Sequence, residues 1–236
     1  VDLFEKNDHF GGHSYTLDIT SDNFNETISV DIGFIVFNKI NYPNLVNLFD
    51  KLQVSYEKSN MSFSVSVKNS NIEYSSSGIK GLFANRYNIF NVQFVKMIRE
   101  IFSFYKMADN MKKENFINKT LGEFLKTNNM SNYFIKFHII PMISAIWSMP
   151  NNLAYEMPMS LFINFFQNHG LFKINNRPQW YTVSGRSKTY VKKILETING
   201  EYFKNYNIRK VLRNKKGIRL YYGSLNEYFE YDKVIF

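Results

Sequence analysis

The chain opens with Val1-Asp2-Leu3-Phe4-Glu5 and continues, two residues later, with Asp8-His9-Phe10-Gly11-Gly12-His13. The first stretch is an apolar strand that ends on a single acid, and the second is a loop with a glycine pair. In a dinucleotide-binding βαβ unit, such an acid accepts hydrogen bonds from the adenosine ribose. Glycines let the backbone approach the cofactor where a Cβ would clash. The stretch therefore predicts the second half of a dinucleotide-binding unit.

An ordinary strand end followed by a turn is the alternative, because short motifs of this kind also occur in proteins that bind no nucleotide. The G-x-G-x-x-G fingerprint that opens such a unit is absent from the sequence. The chain begins inside a strand and without Met, so we expect a fragment that lacks the first βα segment.

Charge is the most unusual property of the composition, with a net charge of +9 and a pI near 9.4. A basic surface favours nucleic acid or anionic lipid. The cations are scattered along the chain, and the cluster from Arg209 to Lys216 falls on a predicted hairpin tip. Clustering on one face is what nucleic-acid binding requires, so we expect no nucleic-acid partner.

The absence of cysteine excludes disulfides, thiolate catalysis and cysteine metal sites. The four histidines form no H-x-x-x-H pair on a predicted helix, so no metal site is expected. A signal peptide and an 18-residue apolar run are also lacking, which predicts a soluble, cytoplasmic protein.

Hydrophobic spacing predicts an α/β start, a β-hairpin, a helical middle and an α/β end. The predicted strands are 14–19, 27–30, 62–68, 72–75, 181–183, 207–213, 217–222 and 228–236, with turns at 21–25, 69–71, 214–216 and 223–226. Helices are predicted from Pro43, over 91–107, from a Thr120–Glu123 capping box, from Ser131 to before Pro141, over 158–168 and over 188–198. This order suits a nucleotide-binding domain that is split by an inserted domain.

Several motifs occur in the order found in one family. They are Leu3-Phe4-Glu5-Lys6, Gly11-Gly12-His13, Val30-Asp31-Ile32-Gly33-Phe34-Ile35-Val36-Phe37-Asn38, Tyr42-Pro43-Asn44-Leu45, Phe83-Ala84-Asn85-Arg86, Pro141-Met142, Ala145-Ile146-Trp147-Ser148, Asn168-His169-Gly170-Leu171, Arg177-Pro178-Gln179-Trp180 and Thr182-Val183. With these the chain resembles the flavin-containing amine oxidase-like oxidoreductases, a group that includes protoporphyrinogen oxidase and phytoene desaturase. It looks most like a bacterial branch of predicted NAD/FAD-binding proteins, often encoded beside cyclopropane-fatty-acid synthases.

The resemblance implies FAD as the cofactor and suggests which residues bind it. By that resemblance Glu5 binds the ribose, Gly11, Gly12 and His13 lie along the pyrophosphate, and the backbone of Val211 meets the adenine. Asp31 and Gly33 are expected near the flavin, although Asp31 also fits an ordinary strand-end acid. Relatives carry a Gly-Gly pair where this chain has Ser184-Gly185-Arg186-Ser187, so Arg186 departs from the family pattern.

The fold class is therefore α/β, or α+β overall. We predict a partial Rossmann-like FAD-binding domain in two parts, residues 1–60 and 181–236. An inserted mixed β/helical substrate-binding domain is predicted at 61–180. The fragment lacks the N-terminal fingerprint and the C-terminal FAD segment, so we expect it to be inactive by itself.

Four residues of the inserted region are candidates for substrate binding. Arg86 suits an anionic group, although a surface ion pair suits it equally well. Trp147 and Trp180 suit either a substrate cavity or the core. His169 suits an acid–base role, but a helix C-cap followed by Gly170 is the favoured interpretation.

The function predicted is oxidation of a C–H bond of an apolar, lipid-like substrate by hydride transfer to FAD. No catalytic residue can be assigned, because no nucleophile–base pair is visible and the flavin supplies the chemistry. The expected partners are a small-molecule or lipid-like substrate and, peripherally, a membrane surface. The alternative is a non-catalytic basic protein with a nucleotide-binding fold that binds nucleic acid or anionic membrane.

Overall fold

The computed structural model describes residues 1–21, 24–68, 70–173, 175–215, 217–223 and 227–236. The chain forms two compact units. The first unit comprises Val1–Phe37, Tyr42–Ser59 and Tyr181–Phe236, and the second comprises Asn38–Asn41 and Asn60–Trp180.

The strands are short and fall into several small sheets. They are β1 (Leu3–Phe4), β2 (Thr16–Ser21), β3 (Phe24–Asp31), β4 (Phe37–Asn38), β5 (Tyr56–Ser59), β6 (Ser64–Ser66), β7 (Glu73–Ser75), β8 (Trp180–Val183), β9 (Tyr202–Phe203), β10 (Ile208–Asn214), β11 (Gly217–Tyr222) and β12 (Glu227–Tyr231). The pairings are β1–β9, β2–β3, β4–β8–β5, β6–β7 and β10–β11–β12.

Most of the helices lie in the second unit. They are α1 (Pro43–Lys51), α2 (Gly78–Leu82), α3 (Val92–Asp109), α4 (Leu121–Thr127), α5 (Asn132–Phe134), α6 (Ile140–Trp147), α7 (Asn151–Tyr155), α8 (Met159–Asn168) and α9 (Ser187–Thr197). Short 3₁₀ turns cover Arg86–Phe90 and Lys113–Phe116.

In the first unit, β1 pairs in parallel with β9, so that Leu3 lies opposite Tyr202 and Phe4 opposite Phe203. Offset stacking stabilises this pair, since the rings of Phe4 and Phe203 lie 4.7 Å apart at 8°. The ring of Phe229 on β12 lies 5.0 Å from that of Phe4. These contacts hold the β1 strand end, and with it Glu5, at a defined position.

A second cluster of the first unit buries α1 and α9. Its buried members are Phe37, Phe49, Val54, Val183 and Tyr190. Helix α1 begins at Pro43 as predicted, because proline suits the first helical turn. Its apolar face places Phe49 fully out of solvent.

The second unit is built around α3 and α8. The predicted hairpin over 62–75 forms as β6–β7 and turns Val65 and Tyr74 into the core. The predicted capping box of α4 is confirmed: the Thr120 side chain accepts from the Glu123 backbone, and the Glu123 side chain accepts from Thr120 N–H. The large core side chains include Phe94, Phe104, Phe134, Phe162 and Phe166.

The predicted helix end before Pro141 is wrong. Helix α5 begins with Ser131 as its cap, passes through a π-helical turn over Ile135–Ile139 and continues as α6 to Trp147. A proline lacks the N–H that an α-helical turn needs. The wider π turn just before Pro141 lets the chain continue helically, as π-bulges do elsewhere.

Other sequence expectations differ in extent. The last strand ends at Tyr231, short of the predicted 236, and the short strands β5 and β9 were not predicted. The predicted turns at 21–25, 69–71, 214–216 and 223–226 each include residues that lie outside the described part of the chain. In the described residues, the model contains no helix of the length and apolarity needed to cross a bilayer.

Candidate functional site

Glu5 lies directly after β1, with its backbone fixed on both sides. Its N–H donates to Phe203 O at 2.8 Å, and its carbonyl accepts from Tyr206 N at 2.9 Å. The half-buried carboxylate accepts from Asn7 N–H at 2.7 Å through Oε1. A carboxylate has two oxygens and about four acceptor positions. Glu5 is therefore a hydrogen-bond acceptor held at a fixed strand end.

The loop after Glu5 turns at the predicted glycine pair. Gly11 has φ +118° and Gly12 has φ +55°, a region that L-residues rarely adopt. A Cβ at Gly11 would lie 2.7 Å from Ser14 O and 3.0 Å from the Val191 side chain. A Cβ at Gly12 would meet nothing within 4 Å. Gly11 thus packs the loop inward, while Gly12 leaves open space on its outer side.

Gly33 joins this loop from a different part of the chain. Phe34 N donates to His13 O at 2.7 Å. A Cβ at Gly33 would lie only 1.9 Å from that oxygen. The glycine therefore permits the chain after β3 to lie directly on the His13 backbone, while the His13 side chain is exposed.

Asp31, at the end of β3, is buried and bound within the protein. Its carboxylate accepts from Ser187 N at 3.0 and 3.2 Å, from Ser187 Oγ at 2.8 Å and from Thr16 Oγ1 at 2.6 Å. Ser187 is the first residue of α9, whose N-terminal N–H groups need an acceptor. A carboxylate at that end also suits the helix dipole. Asp31 therefore anchors α9 to the β2–β3 hairpin.

Arg186 takes a backbone conformation that is normally open only to glycine. Its φ is +73° and its ψ is 176°, in a region that is essentially restricted to glycine. Its side chain offsets part of this strain, because Nε donates to Ser29 O at 3.0 Å.

Val211 lies in β10, opposite Leu220 of β11, and its side chain is 36% exposed. All seven predicted cofactor residues belong to the first unit: Glu5, Gly11, Gly12, His13, Asp31, Gly33 and Val211. The contacts described above link Gly33 to His13, two residues after Gly11.

The four candidate substrate residues lie in the second unit, where ring contacts through Phe165 and His169 link three of them, Trp147, His169 and Trp180, but not Arg86. Arg86 is exposed at the start of a 3₁₀ turn. Trp147 ends α6 and packs on Phe165, with ring centroids 4.6 Å apart. The described contacts do not link Arg86 to Trp147.

His169 caps the C-terminus of α8, which is the interpretation that the sequence favours. Its Nδ1 lies 2.9 Å from Phe165 O, and Gly170 follows with φ +62°. The imidazole stacks on the Phe165 ring at 4.1 Å and faces the Trp180 ring at 6.0 Å. Trp180 itself is 9% exposed, so these two candidates do meet.

Sequence reasoning missed a buried polar cluster around His138. Its Nδ1 lies 3.0 Å from Tyr74 Oη, and its Nε2 lies 3.0 Å from Tyr105 Oη. The hydroxyl of Tyr74 donates to Phe137 O at 2.8 Å. Its oxygen is therefore left to accept from Nδ1–H, and Nε2 accepts from the Tyr105 hydroxyl.

Burial has a large effect on this cluster. It lowers the pKa of His138 to about 3 and raises the pKa of both Tyr74 and Tyr105. All three groups are therefore neutral at pH 7. His138 shares a helical stripe with Phe134, which marks it as a core position. The sequence cannot indicate its tyrosine partners, because they come from a hairpin and from another helix.

Comparison with known proteins places this geometry in a class. Residues 1–52 match the domain family described as NAD(P)-binding Rossmann-like domain. No curated protein sequence matches the chain. The family match is thus confined to the first part of the first unit.

Three solved structures have a fold similar to that of this chain. Cyclohexylamine oxidase from Brevibacterium oxydans IH-35A superposes with a TM-score of 0.63 at 14% identity, over 94% of this chain and 49% of that chain. A mutant putrescine oxidase from a redesign of cofactor binding gives 0.61 at 15% identity, over 94% and 48%. A putative protoporphyrinogen oxidase from Exiguobacterium sp. 255-15 gives 0.57 at 16% identity, over 98% and 52%.

The chain spans about half the length of these proteins. At such low identities the similarity shows the fold alone. The chain has the fold of the amine oxidase-like oxidoreductases, which confirms the resemblance drawn from its sequence motifs.

Proposed function

We propose that the protein is a FAD-dependent oxidoreductase of the amine oxidase-like type. The observation that carries the proposal is the position of Glu5 at the end of β1, followed by the loop of Gly11 and Gly12. This is the arrangement that a Rossmann-type unit uses for the ribose and pyrophosphate of a dinucleotide. The match of residues 1–52 to a Rossmann-like domain family supports it.

The residues of the first unit fit the cofactor chemically. Glu5 would accept hydrogen bonds from the ribose hydroxyls, and its negative charge would disfavour a 2′-phosphate. The open side of Gly12 leaves room for the pyrophosphate. Val211 would meet the adenine through its backbone. When bound, FAD would supply the acceptor for a hydride taken from a substrate C–H bond.

We further propose that the substrate is a small, apolar and lipid-like molecule. The described part of the second unit is rich in aromatic side chains, among them the packed rings of Trp147, Phe165 and Phe166. An aromatic enclosure excludes water from a reacting C–H bond and needs no strong side-chain base. Trp180 remains a candidate, with Trp147, for the wall of the substrate cavity, and Arg86 and His169 remain the candidates for contact with polar parts of the substrate.

The visible spectrum of the complete gene product tests the cofactor proposal. We expect a flavin absorption band, either as isolated or after incubation with FAD and desalting. The bound flavin should persist at moderate salt, because ribose, pyrophosphate and ring contacts depend only weakly on ionic strength. Failure to hold FAD, combined with steep salt-dependent binding of a DNA duplex, would favour the non-catalytic alternative instead.

Bleaching of the bound flavin under anaerobic conditions tests the substrate proposal. A fatty-acyl substrate should reduce the flavin, whereas short polyamines should react slowly or not at all. Rapid reduction by polyamines with no response to fatty-acyl compounds would reject a lipid-like substrate while leaving the FAD proposal intact.

A further inference from the structure

The segment 78–92 exposes several large apolar side chains, while its Leu82 and Phe83 pack on the core. Tyr87 is 79% exposed, Phe90 84% and Val92 81%, whereas Asn88 between them is only 1% exposed. Ile79 on α2 is 78% exposed. A large apolar patch of this kind is typical of an interaction site.

Hydrogen bonds from asparagine side chains hold the backbone of this segment in place. Asn88 Nδ2 donates to Glu73 O at 3.3 Å, and Asn85 Nδ2 donates to Asn71 O at 2.9 Å. Asn91 Oδ1 accepts from Phe94 N at 3.1 Å and so caps α3. The backbone is therefore anchored to the β6–β7 hairpin and to α3, while the side chains of Ile79, Tyr87, Phe90 and Val92 face solvent.

The local geometry places key side chains on shared faces. Tyr87 and Phe90 are three residues apart in a 3₁₀ turn, where such side chains eclipse one another. On α3, Val92 shares a stripe with Lys96 and Arg99, which lie four and seven residues further on. Aromatic and aliphatic groups are thus accompanied by cations.

Charge indicates what this surface binds. Residues 74–99 contain no Asp or Glu but contain Lys80, Arg86, Lys96 and Arg99, all of them exposed. Within the described part of the chain, none of the four forms a salt bridge. Exposed Phe, Tyr and Ile beside unpaired Lys and Arg are the composition of an interfacial lipid-binding surface.

We propose that segment 78–92, with Lys96 and Arg99 of α3, is a docking surface for an anionic lipid membrane. Ile79, Tyr87, Phe90 and Val92 would enter the acyl boundary, and the cations would meet the phosphates of the headgroups. The proposal goes beyond the flavin chemistry and does not depend on it, because none of its residues is a candidate for FAD binding. Arg86 alone is also a candidate for substrate contact.

Vesicle flotation tests the proposal with the whole protein. The probe is vesicles of phosphatidylglycerol mixed with phosphatidylcholine, compared with vesicles of phosphatidylcholine alone. We expect binding to the anionic vesicles that weakens as salt is raised. Absence of binding to anionic vesicles at low salt would overturn the proposal.

Matched variants locate the surface. The pair Lys80→Ser/Arg86→Ser should weaken binding about 25-fold, since each cation near an anionic surface contributes about fivefold. The control pair Lys106→Ser/Lys126→Ser removes the same two charges from exposed positions of the second unit and should leave binding nearly unchanged. Equal losses in the two pairs would show that net charge alone drives binding and would overturn the assignment.

The apolar contribution has its own comparison. Phe90→Ser should weaken vesicle binding about tenfold, and Ile117→Ser, at a site 69% exposed outside the segment, should not. Neither change affects the core, so both variants should keep wild-type circular dichroism. A DNA duplex that binds through Lys80 and Arg86 with no effect of Phe90→Ser would assign the cations to nucleic acid and refute the membrane proposal. Self-association abolished by Phe90→Ser, with vesicle binding unchanged, would likewise refute it.

Discussion

Gly33 and His13 are twenty positions apart in the sequence, yet a Cβ on Gly33 would lie 1.9 Å from the carbonyl oxygen of His13. The same oxygen accepts a hydrogen bond from Phe34 N at 2.7 Å. The loop Gly11-Gly12-His13 and the stretch that contains Gly33 are therefore in direct backbone contact. The chain that follows β3 hydrogen-bonds to the loop that is proposed to bind the pyrophosphate, and so holds that loop in place.

Replacement of Gly33 by alanine should destabilise the first unit. A Cβ at this point must displace backbone, and overpacking of this kind costs about 3 kcal/mol. Urea unfolding measures the effect. Gly12→Ala is the matched control, because its Cβ meets nothing within 4 Å and only its φ of +55° is unfavourable, so it should cost about 1–2 kcal/mol. Equal losses for the two variants would contradict the close contact.

A longer side chain at Gly12 should block the cofactor without unfolding the protein. We expect Gly12→Gln to weaken FAD binding at least tenfold, because its side chain would occupy the open side of the loop. Gly78→Gln is the control, since Gly78 has φ +73° and also has nothing within 4 Å of an added Cβ. Isothermal titration with FAD compares the two. Unchanged affinity for Gly12→Gln would show that the pyrophosphate lies elsewhere.

The backbone strain at Arg186 should appear as a difference in unfolding free energy between a glycine and an alanine variant at this position. Arg186→Gly relieves the strain of φ +73° and ψ 176° but loses the bond to Ser29 O. Arg186→Ala loses the bond and keeps the strain. We therefore expect the glycine variant to exceed the alanine variant by about 1–2 kcal/mol in unfolding free energy. An alanine variant as stable as the glycine variant would argue against strain at this turn.

The sequence predicted those parts of the fold that depend on local patterns. The capping box at Thr120, the proline start of α1 and the hairpin β6–β7 all follow from residues close together in the chain. The pairing of β1 with β9 does not follow from local sequence. Strand β9 is only two residues long, and its position depends on long-range contacts such as the stacking of Phe4 on Phe203.

The same division holds for the candidate site. Glu5 and the glycine pair were visible as a motif, and the structure places Glu5 directly after β1 and the glycine pair in the loop that follows. The anchoring of α9 by Asp31 was not visible, since it joins Asp31 to Ser187 across 156 positions. The tyrosine partners of His138 were missed for the same reason.

Acid should destabilise the protein through His138. Burial lowers its pKa from 6.5 to about 3, whereas the unfolded chain restores the usual value. The unfolded state therefore binds more protons between these two values. The stabilising contribution is fully present above pH 6.5 and is lost as the pH falls toward 3, with a slope of up to about 1.4 kcal/mol per pH unit.

Substitution of His138 separates this contribution from that of the carboxylates. His138→Phe should lower stability at pH 7 by about 1–3 kcal/mol, since the Tyr105 hydroxyl loses its acceptor. The same variant should flatten the decline in unfolding free energy between pH 6.5 and 4. His13→Phe, at an exposed position, should leave the wild-type slope. A slope that is unchanged in His138→Phe would show that the imidazole is not buried as a neutral group.

The dissociation constant of FAD for the wild-type protein and for Glu5→Ala tests the central claim most directly. A charge-assisted hydrogen bond contributes about 1.5–3 kcal/mol, so the variant should bind FAD about ten- to a hundredfold more weakly. Glu5→Gln, which keeps an acceptor and loses the charge, should fall between the two, with thermal unfolding measured on each sample to verify folding. An unchanged dissociation constant in a folded Glu5→Ala protein would show that Glu5 is only a strand-end acid and would contradict its role in binding the ribose.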